Sequence, residues 1–140
     1  MNDGLLEVDI EQIRGDNNFR FNLASSYRRT LELYDDNPDV DPAITPYYKT
    51  IMDKYIKRGL PWFGYTDEEG VKKRTREFLL LYSNIKRLYD PETYGYIECI
   101  PQKDEKLEIF EGHHRLTILR KLGYKTVCVL LKNQKQSQNV

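Results

Sequence analysis

The chain has 140 residues, 39% hydrophobic and 31% charged, with 22 basic and 22 acidic side chains giving no net charge. Such a length provides one domain with room for a core, and such a composition excludes a disordered or low-complexity chain. No apolar run approaches the ~20 residues that span a bilayer, and the acidic start MNDGLLEVDI lacks the regions of a secretory signal, so a cytoplasmic protein without membrane attachment is expected.

Residues 5–13, LLEVDIEQI, alternate through Leu6, Val8 and Ile10, which predicts a first strand. Asp16-Asn17-Asn18 supplies turn chemistry. Residues 19–34 read as helix in their second half, with Leu31, Leu33 and Tyr34 as its apolar set. Asp35-Asp36-Asn37-Pro38-Asp39 ends it. These acids lack the spaced ligands of a calcium loop, which favours a solvated turn over a cation site. Thr45-Pro46 combines an N-cap with proline at the first helical position. Ile44, Tyr48, Ile51, Met52, Tyr55 and Ile56 then make one apolar face up to Gly59.

Residues 60–65, LPWFGY, form an aromatic loop with two readings: it packs over the core, or it stacks on a base or substrate ring. Thr66 with Glu69 is a capping box. The helix it opens presents Phe78, Leu81, Tyr82, Ile85, Leu88 and Tyr89 on one side, and Lys73, Arg74, Arg76 and Lys86 elsewhere. Residues 94–101, YGYIECIP, predict a second strand, and residues 102–106 a polar turn. Charge is uneven along the chain. Residues 1–42 hold ten acidic and four basic side chains, and residues 43–89 hold five acidic and ten basic. The basic middle segment reads either as solvated helix faces or as a surface for DNA. Cys99 and Cys128 fall among apolar neighbours and are expected to be reduced, buried thiols. Neither belongs to a Cys-x-x-Cys pair, so no zinc site is expected.

The most informative stretch is residues 107–131, LEIFEGHHRLTILRKLGYKTVCVLL, read as strand, glycine turn, helix, strand. Leu116, Leu119 and Leu122 have helical spacing, Gly123 is placed to end the helix, and residues 125–131 are a β-branched run. The only histidines, His113 and His114, start this helix beside Arg115. The first N–H groups of a helix have no intrahelical partner, and the dipole is positive there, which favours an anion. Gly112 permits close approach, and two imidazoles and a guanidinium add donors. Polar residues simply capping the turn are the plainer alternative. Glu111, at the strand end, would either hold Mg²⁺ or accept a proton, or else pair with Arg115.

E-G-H-H-R-L-x-x-L-x-x-L-G-Y-K-T-V-x-V resembles the second conserved box of the ParB/sulfiredoxin superfamily, a box that holds the phosphates of ATP or CTP. The resemblance covers about the last third of the chain. Sulfiredoxins carry a catalytic cysteine after the glycine; His113 stands there, so their reductase chemistry is not expected. Chromosome-partition ParB proteins have Gly-Glu-Arg-Arg and continue into a helix-turn-helix domain, whereas nine residues follow Leu131 here, so a complete partition protein is not expected. Gly-His-His-Arg looks most like the superfamily's free-serine kinases and ATPase-like members.

The resemblance implies Gly112, His114 and Arg115 as phosphate contacts, with His113 as a further donor or catalytic group. In L-Y-S-N-I-K, Asn84 stands where the family places a serine, leaving Ser83 and Lys86 as helpers. The catalytic acid is not fixed by the box; Glu98 and Glu111 are the candidates, Glu111 also as Mg²⁺ ligand. The implied fold is α/β (α+β), a single small ParB/sulfiredoxin-like domain over residues 1–132. It has a mixed sheet, flanking helices and a helical insertion over 19–89, with a polar tail over 133–140. The expected function is binding of a nucleoside triphosphate with Mg²⁺, and phosphoryl transfer or hydrolysis. A ParB-like DNA-associated module, binding DNA through the basic helices of 43–89 or acting as a nuclease, is the alternative.

Overall fold

The alternating stretch at the start of the chain forms two short strands on opposite edges of one sheet, not the single strand its pattern suggests. In the computed structural model, which describes residues 4–14 and 23–132, β1 (Leu5–Asp9) and β2 (Ile13–Arg14) flank a 3₁₀ turn, Ile10–Gln12. Asp9 makes this turn. Its carboxylate accepts from the Glu11 N–H at 3.0 Å, and the Gln12 side chain accepts from the Asp9 N–H at 3.1 Å. This reciprocal cap stops the strand. The expected turn at Asp16-Asn17-Asn18, the start of the 19–34 helix and the tail over 133–140 lie outside the described residues.

The other strands are β3 (Ile97–Pro101), β4 (Leu107–Glu111) and β5 (Thr126–Leu131), in the order β1-β5-β3-β4-β2. β1 runs antiparallel to β5 and β3 antiparallel to β4, while β5–β3 and β4–β2 are parallel. This mixed sheet, with its helices, makes the fold α+β. A flat five-stranded sheet is roughly 19 Å from edge to edge, and a 3₁₀ turn advances only about 2 Å per residue. The short link between β1 and β2 therefore obliges the sheet to curl until its edges approach.

The chain divides into two compact units, one from Met1–Phe19 with Leu88–Val140 and the other from Arg20–Arg87. In the first, Val8, Ile13, Ile97, Ile109, Val127 and Val129 are buried on one face of the sheet. The helix α5 (His113–Lys121) packs on β3 and buries Leu116, Ile118 and Leu119. It ends as its sequence predicts. Gly123 turns left-handed at φ +84, its N–H donates to the Arg120 carbonyl at 3.1 Å, and the Tyr124 N–H donates to the Leu119 carbonyl at 3.1 Å. These are the two bonds of a Schellman motif. The strand expected from Tyr94 starts only at Ile97, because Asp90 caps a short helix, α4 (Pro91–Tyr94), and Gly95 follows at φ +90. Both cysteines are free, but only Cys99 is buried, and its thiol is pushed up to about 12 by that burial. Cys128 is half-exposed, because it lies on the sheet face opposite Val127 and Val129.

The second unit is helical: α1 (Leu23–Asp36), α2 (Pro46–Lys54) and α3 (Glu68–Arg87). Its centre is aromatic. Tyr47 stacks on Tyr27 at 5.0 Å and on Phe78 at 5.2 Å, and Trp62 meets Tyr47 edge-on at 6.5 Å. The buried side of α2 is rotated from the one the spacing predicted: Tyr47 and Ile51 are buried, whereas Ile44 is 52% exposed. Thr45 caps α2 as expected, accepting from the Tyr48 N–H at 3.2 Å. A second cap comes from another helix, since the Thr30 hydroxyl accepts from the Tyr47 N–H at 2.8 Å and donates to the Ser26 carbonyl at 2.8 Å. This reciprocal bonding pulls Tyr47 inward. Replacing Thr30 with valine strands a buried N–H, and we expect about 1–3 kcal/mol lower stability, read as a lower urea midpoint at unchanged slope.

Asp67, rather than Thr66, caps α3, accepting from the Gly70 N–H at 2.9 Å. Gly70 sets this register: a Cβ there would lie 2.5 Å from Tyr65, so only glycine lets the ring close over the helix start. Of the side predicted for α3, Phe78, Tyr82 and Ile85 are buried, Leu81 is half-exposed and Leu88 is 71% exposed. Among the described residues, no helix is long and apolar enough to cross a membrane.

Candidate functional site

The turn between β4 and α5 assembles most of the residues singled out in the sequence. β4 ends at Glu111, Gly112 adopts φ +108 as N-cap, and His113, His114 and Arg115 form the first turn of α5. A Cβ on Gly112 would lie 2.9 Å from Arg115 Nη1 and 3.2 Å from the Ile97 Cα. Glycine is needed for the turn and for the packing alike. No side chain caps this helix, and no acidic residue occupies its first turn. The helix start thus keeps its positive end, with two half-buried imidazoles upon it.

Arg115 does not extend past the turn. Its Nη1 donates to the Tyr96 carbonyl at 3.0 Å, and its guanidinium lies between two left-handed glycines, Gly112 and Gly95. A Cβ on Gly95 would meet Nη2 at 3.0 Å. The arginine therefore ties the approach to β3 to the first turn of α5. Its charge also acts on Tyr89: burial raises that phenol above its ordinary range, and the Arg115 guanidinium opposes the shift. Tyr89 meets Tyr124 edge-on at 5.9 Å, giving the turn an aromatic flank. The sequence pattern assigned Gly95 and Tyr96 to a strand and Tyr89 to a helix face, with no part in the site; the one available signal was a lone glycine between two tyrosines, which marks a sharp turn.

The sheet brings the two candidate acids together. Glu98 on β3 is the cross-strand partner of Glu111 on β4, next to a register shift that skips Phe110 of β4. Lys132 pairs with one of them, its Nζ 3.3 Å from Glu98 and 5.3 Å from the centre of the Phe110 ring. No group of three or more His, Cys, Asp or Glu side chains among the described residues could hold a metal ion. Two carboxylates alone suit a Mg²⁺ that arrives with phosphate ligands and keeps several waters. They do not suit a metal caged wholly by protein.

Ser83 and Lys86 belong to α3 in the helical unit. There Lys86 lies 3.5 Å from Asp35, whose two carboxylate oxygens accept from the Tyr82 hydroxyl at 2.8 and 2.9 Å. This lysine is committed within its own unit. Comparison with protein families, with curated proteins and with solved structures returns no match to the chain.

Proposed function

We propose that the Gly112 turn binds the phosphates of a nucleoside triphosphate, ATP or CTP, with Mg²⁺, for phosphoryl transfer or hydrolysis in the cytoplasm. The observation that carries this reading is the start of α5. It has a left-handed glycine, no capping side chain, no acid in its first turn, and the only two histidines of the chain upon it. Backbone N–H groups and the positive end of the helix favour an anion there, and His113 and His114 add imidazole donors in the same first turn. The resemblance to the ParB/sulfiredoxin superfamily supports the same assignment.

His114 is the side-chain phosphate ligand in this reading, and His113 a second donor or proton carrier. Arg115 acts chiefly by holding the turn, and its charge reaches the phosphates from behind Gly112. Glu98 and Glu111 stand beside the site as Mg²⁺ ligands, Glu111 being exposed and available as base. Catalysis of this type is mostly positioning and charge neutralisation.

Calorimetric titration of ATP and CTP with Mg²⁺ tests the proposal. Wild type is expected to bind, His114→Ala to bind about tenfold more weakly, as for loss of a charge-assisted bond, and His114→Ala/Arg115→Ala not at all. Because Arg115 also supports the turn, the single histidine variant is decisive. Wild type that takes up neither nucleotide at millimolar concentration sinks the reading.

A further inference from the structure

The hairpin tip in the helical unit combines backbone strain and exposed apolar surface in one residue. Trp62 and Tyr65 exchange both backbone hydrogen bonds at 2.9 Å, and the two residues between them, Phe63 (φ +50) and Gly64 (φ +81), both lie at positive φ. This is the type I′ geometry, whose first central position normally takes Asn, Asp or Gly. A bulky side chain is strained there. The Phe63 ring is 62% exposed, so burial offsets little of that strain. Trp62 beside it is buried and lies 4.8 Å from Tyr55, so the base of the hairpin is fixed while its tip displays an aromatic plane.

The surroundings are cationic. The Arg74 guanidinium sits 4.0 Å from the Phe63 ring centre and Lys73 Nζ 6.0 Å from that of Tyr65. Residues 54–76 carry seven basic and three acidic side chains. The three acids are engaged: Asp67 caps α3, Glu68 accepts from the Tyr48 hydroxyl, and Glu69 pairs with Lys72 at 3.4 Å. Arg74 has Glu77 at 3.7 Å, whereas exposed Lys73 has no carboxylate partner among the described residues.

We propose that this hairpin is a stacking platform for single-stranded nucleic acid, Phe63 receiving a base on the face away from Arg74 and exposed Lys73 holding the adjoining phosphate. An exposed aromatic plane among cations is how proteins hold unpaired strands without reading their sequence. A duplex offers no unstacked base. An acidic protein segment would satisfy the cations but has no use for a flat ring kept in a strained conformation. The assignment rests on the helical unit alone and is independent of the Gly112 turn.

The test uses the full chain, a fluorescein-labelled oligo(dT) strand, a duplex of equal length, and polyglutamate as competitor, followed by anisotropy. Wild type is expected to prefer the single strand and to lose affinity steeply with salt. Phe63→Asn suits the left-handed position and should keep the melting curve, yet bind about tenfold more weakly, as for loss of one stacked base. Phe63→Trp should bind at least as tightly as wild type, which separates stacking from damage to the turn, and His114→Ala should leave binding unchanged. Absence of binding at low salt, equal affinity of Phe63→Asn and wild type, or preference for duplex would each overturn the proposal. Displacement of the strand by an equal charge concentration of polyglutamate would overturn it in favour of an acidic protein partner.

Discussion

Gly112→Ala is expected to lower stability by about 2–3 kcal/mol and to abolish the proposed nucleotide binding. The effect has two sources. A Cβ at φ +108 is strained by itself, and it would also lie 3.2 Å from the Ile97 Cα, a backbone atom that cannot swing aside. Arg115 Nη1, at 2.9 Å, would have to leave as well, and with it the bond to the Tyr96 carbonyl. For a chain of this size the loss corresponds to a fall in melting temperature of roughly 10 °C. Gly123→Ala is the internal control: it has similar backbone strain at φ +84, but nothing within 4 Å of its Cβ. It should destabilise less and spare binding. Equal melting temperatures for the two variants would show that the packing around Gly112 contributes nothing.

Alkaline pH should unfold the helical unit through its buried tyrosines, and only above the pH at which exposed tyrosines ionise. Burial raises Tyr47 from 10 to about 12, and burial likewise raises Tyr27, which stacks on it. Tyr82 moves up too, by burial first and then by its bond to Asp35. A group whose folded pKa lies above its unfolded value stabilises fully below the unfolded value, and that stability disappears as pH climbs to the folded one. The window here is pH 10 to about 12. Across it Tyr47 alone accounts for roughly 2–3 kcal/mol, with Tyr27 and Tyr82 adding in the same direction. Tyrosinate absorbance and helical circular dichroism should therefore change together, late and steeply. Tyrosinate forming with a midpoint near 10, and no loss of helix, would contradict the buried aromatic centre. Tyr47→Phe removes one titrating group and should move the transition upward.

Legibility in the sequence followed the range of the interactions. The β4–α5–β5 stretch could be read almost residue by residue, because its strand, left-handed glycine, helix and Schellman end are all determined by neighbours in sequence. The α+β class implied by the resemblance is the one observed. What escaped depends on partners far along the chain. Tyr47 is drawn into the core by a hydroxyl on Thr30, in a different helix, which rotates the buried side of α2 and leaves Ile44 outside. The cap of α3 moved from Thr66 to Asp67 because Gly70 must lie under Tyr65. At the candidate site, the positions of His113, His114 and Gly112 were legible, whereas the engagement of Arg115 by Gly95 and Tyr96 was not. The facing of Glu98 and Glu111 was equally hidden, since strand register is a property of two strands and not of either alone.

The pairing of β1 with β5 bears on how the molecule is made. Leu5 is the register partner of Leu130, so a ribosome delivers this strand well over a hundred residues ahead of its neighbour. At ordinary elongation speeds the wait is on the order of ten seconds. The helical unit, Arg20–Arg87, leaves the ribosome within that wait. During that interval Glu7 and Asp9 keep a nascent apolar strand charged, which discourages strand addition to neighbouring chains. Among the described residues β1 pairs with β5 alone, so a translation product that stops before Thr126 forfeits two strands by missing one.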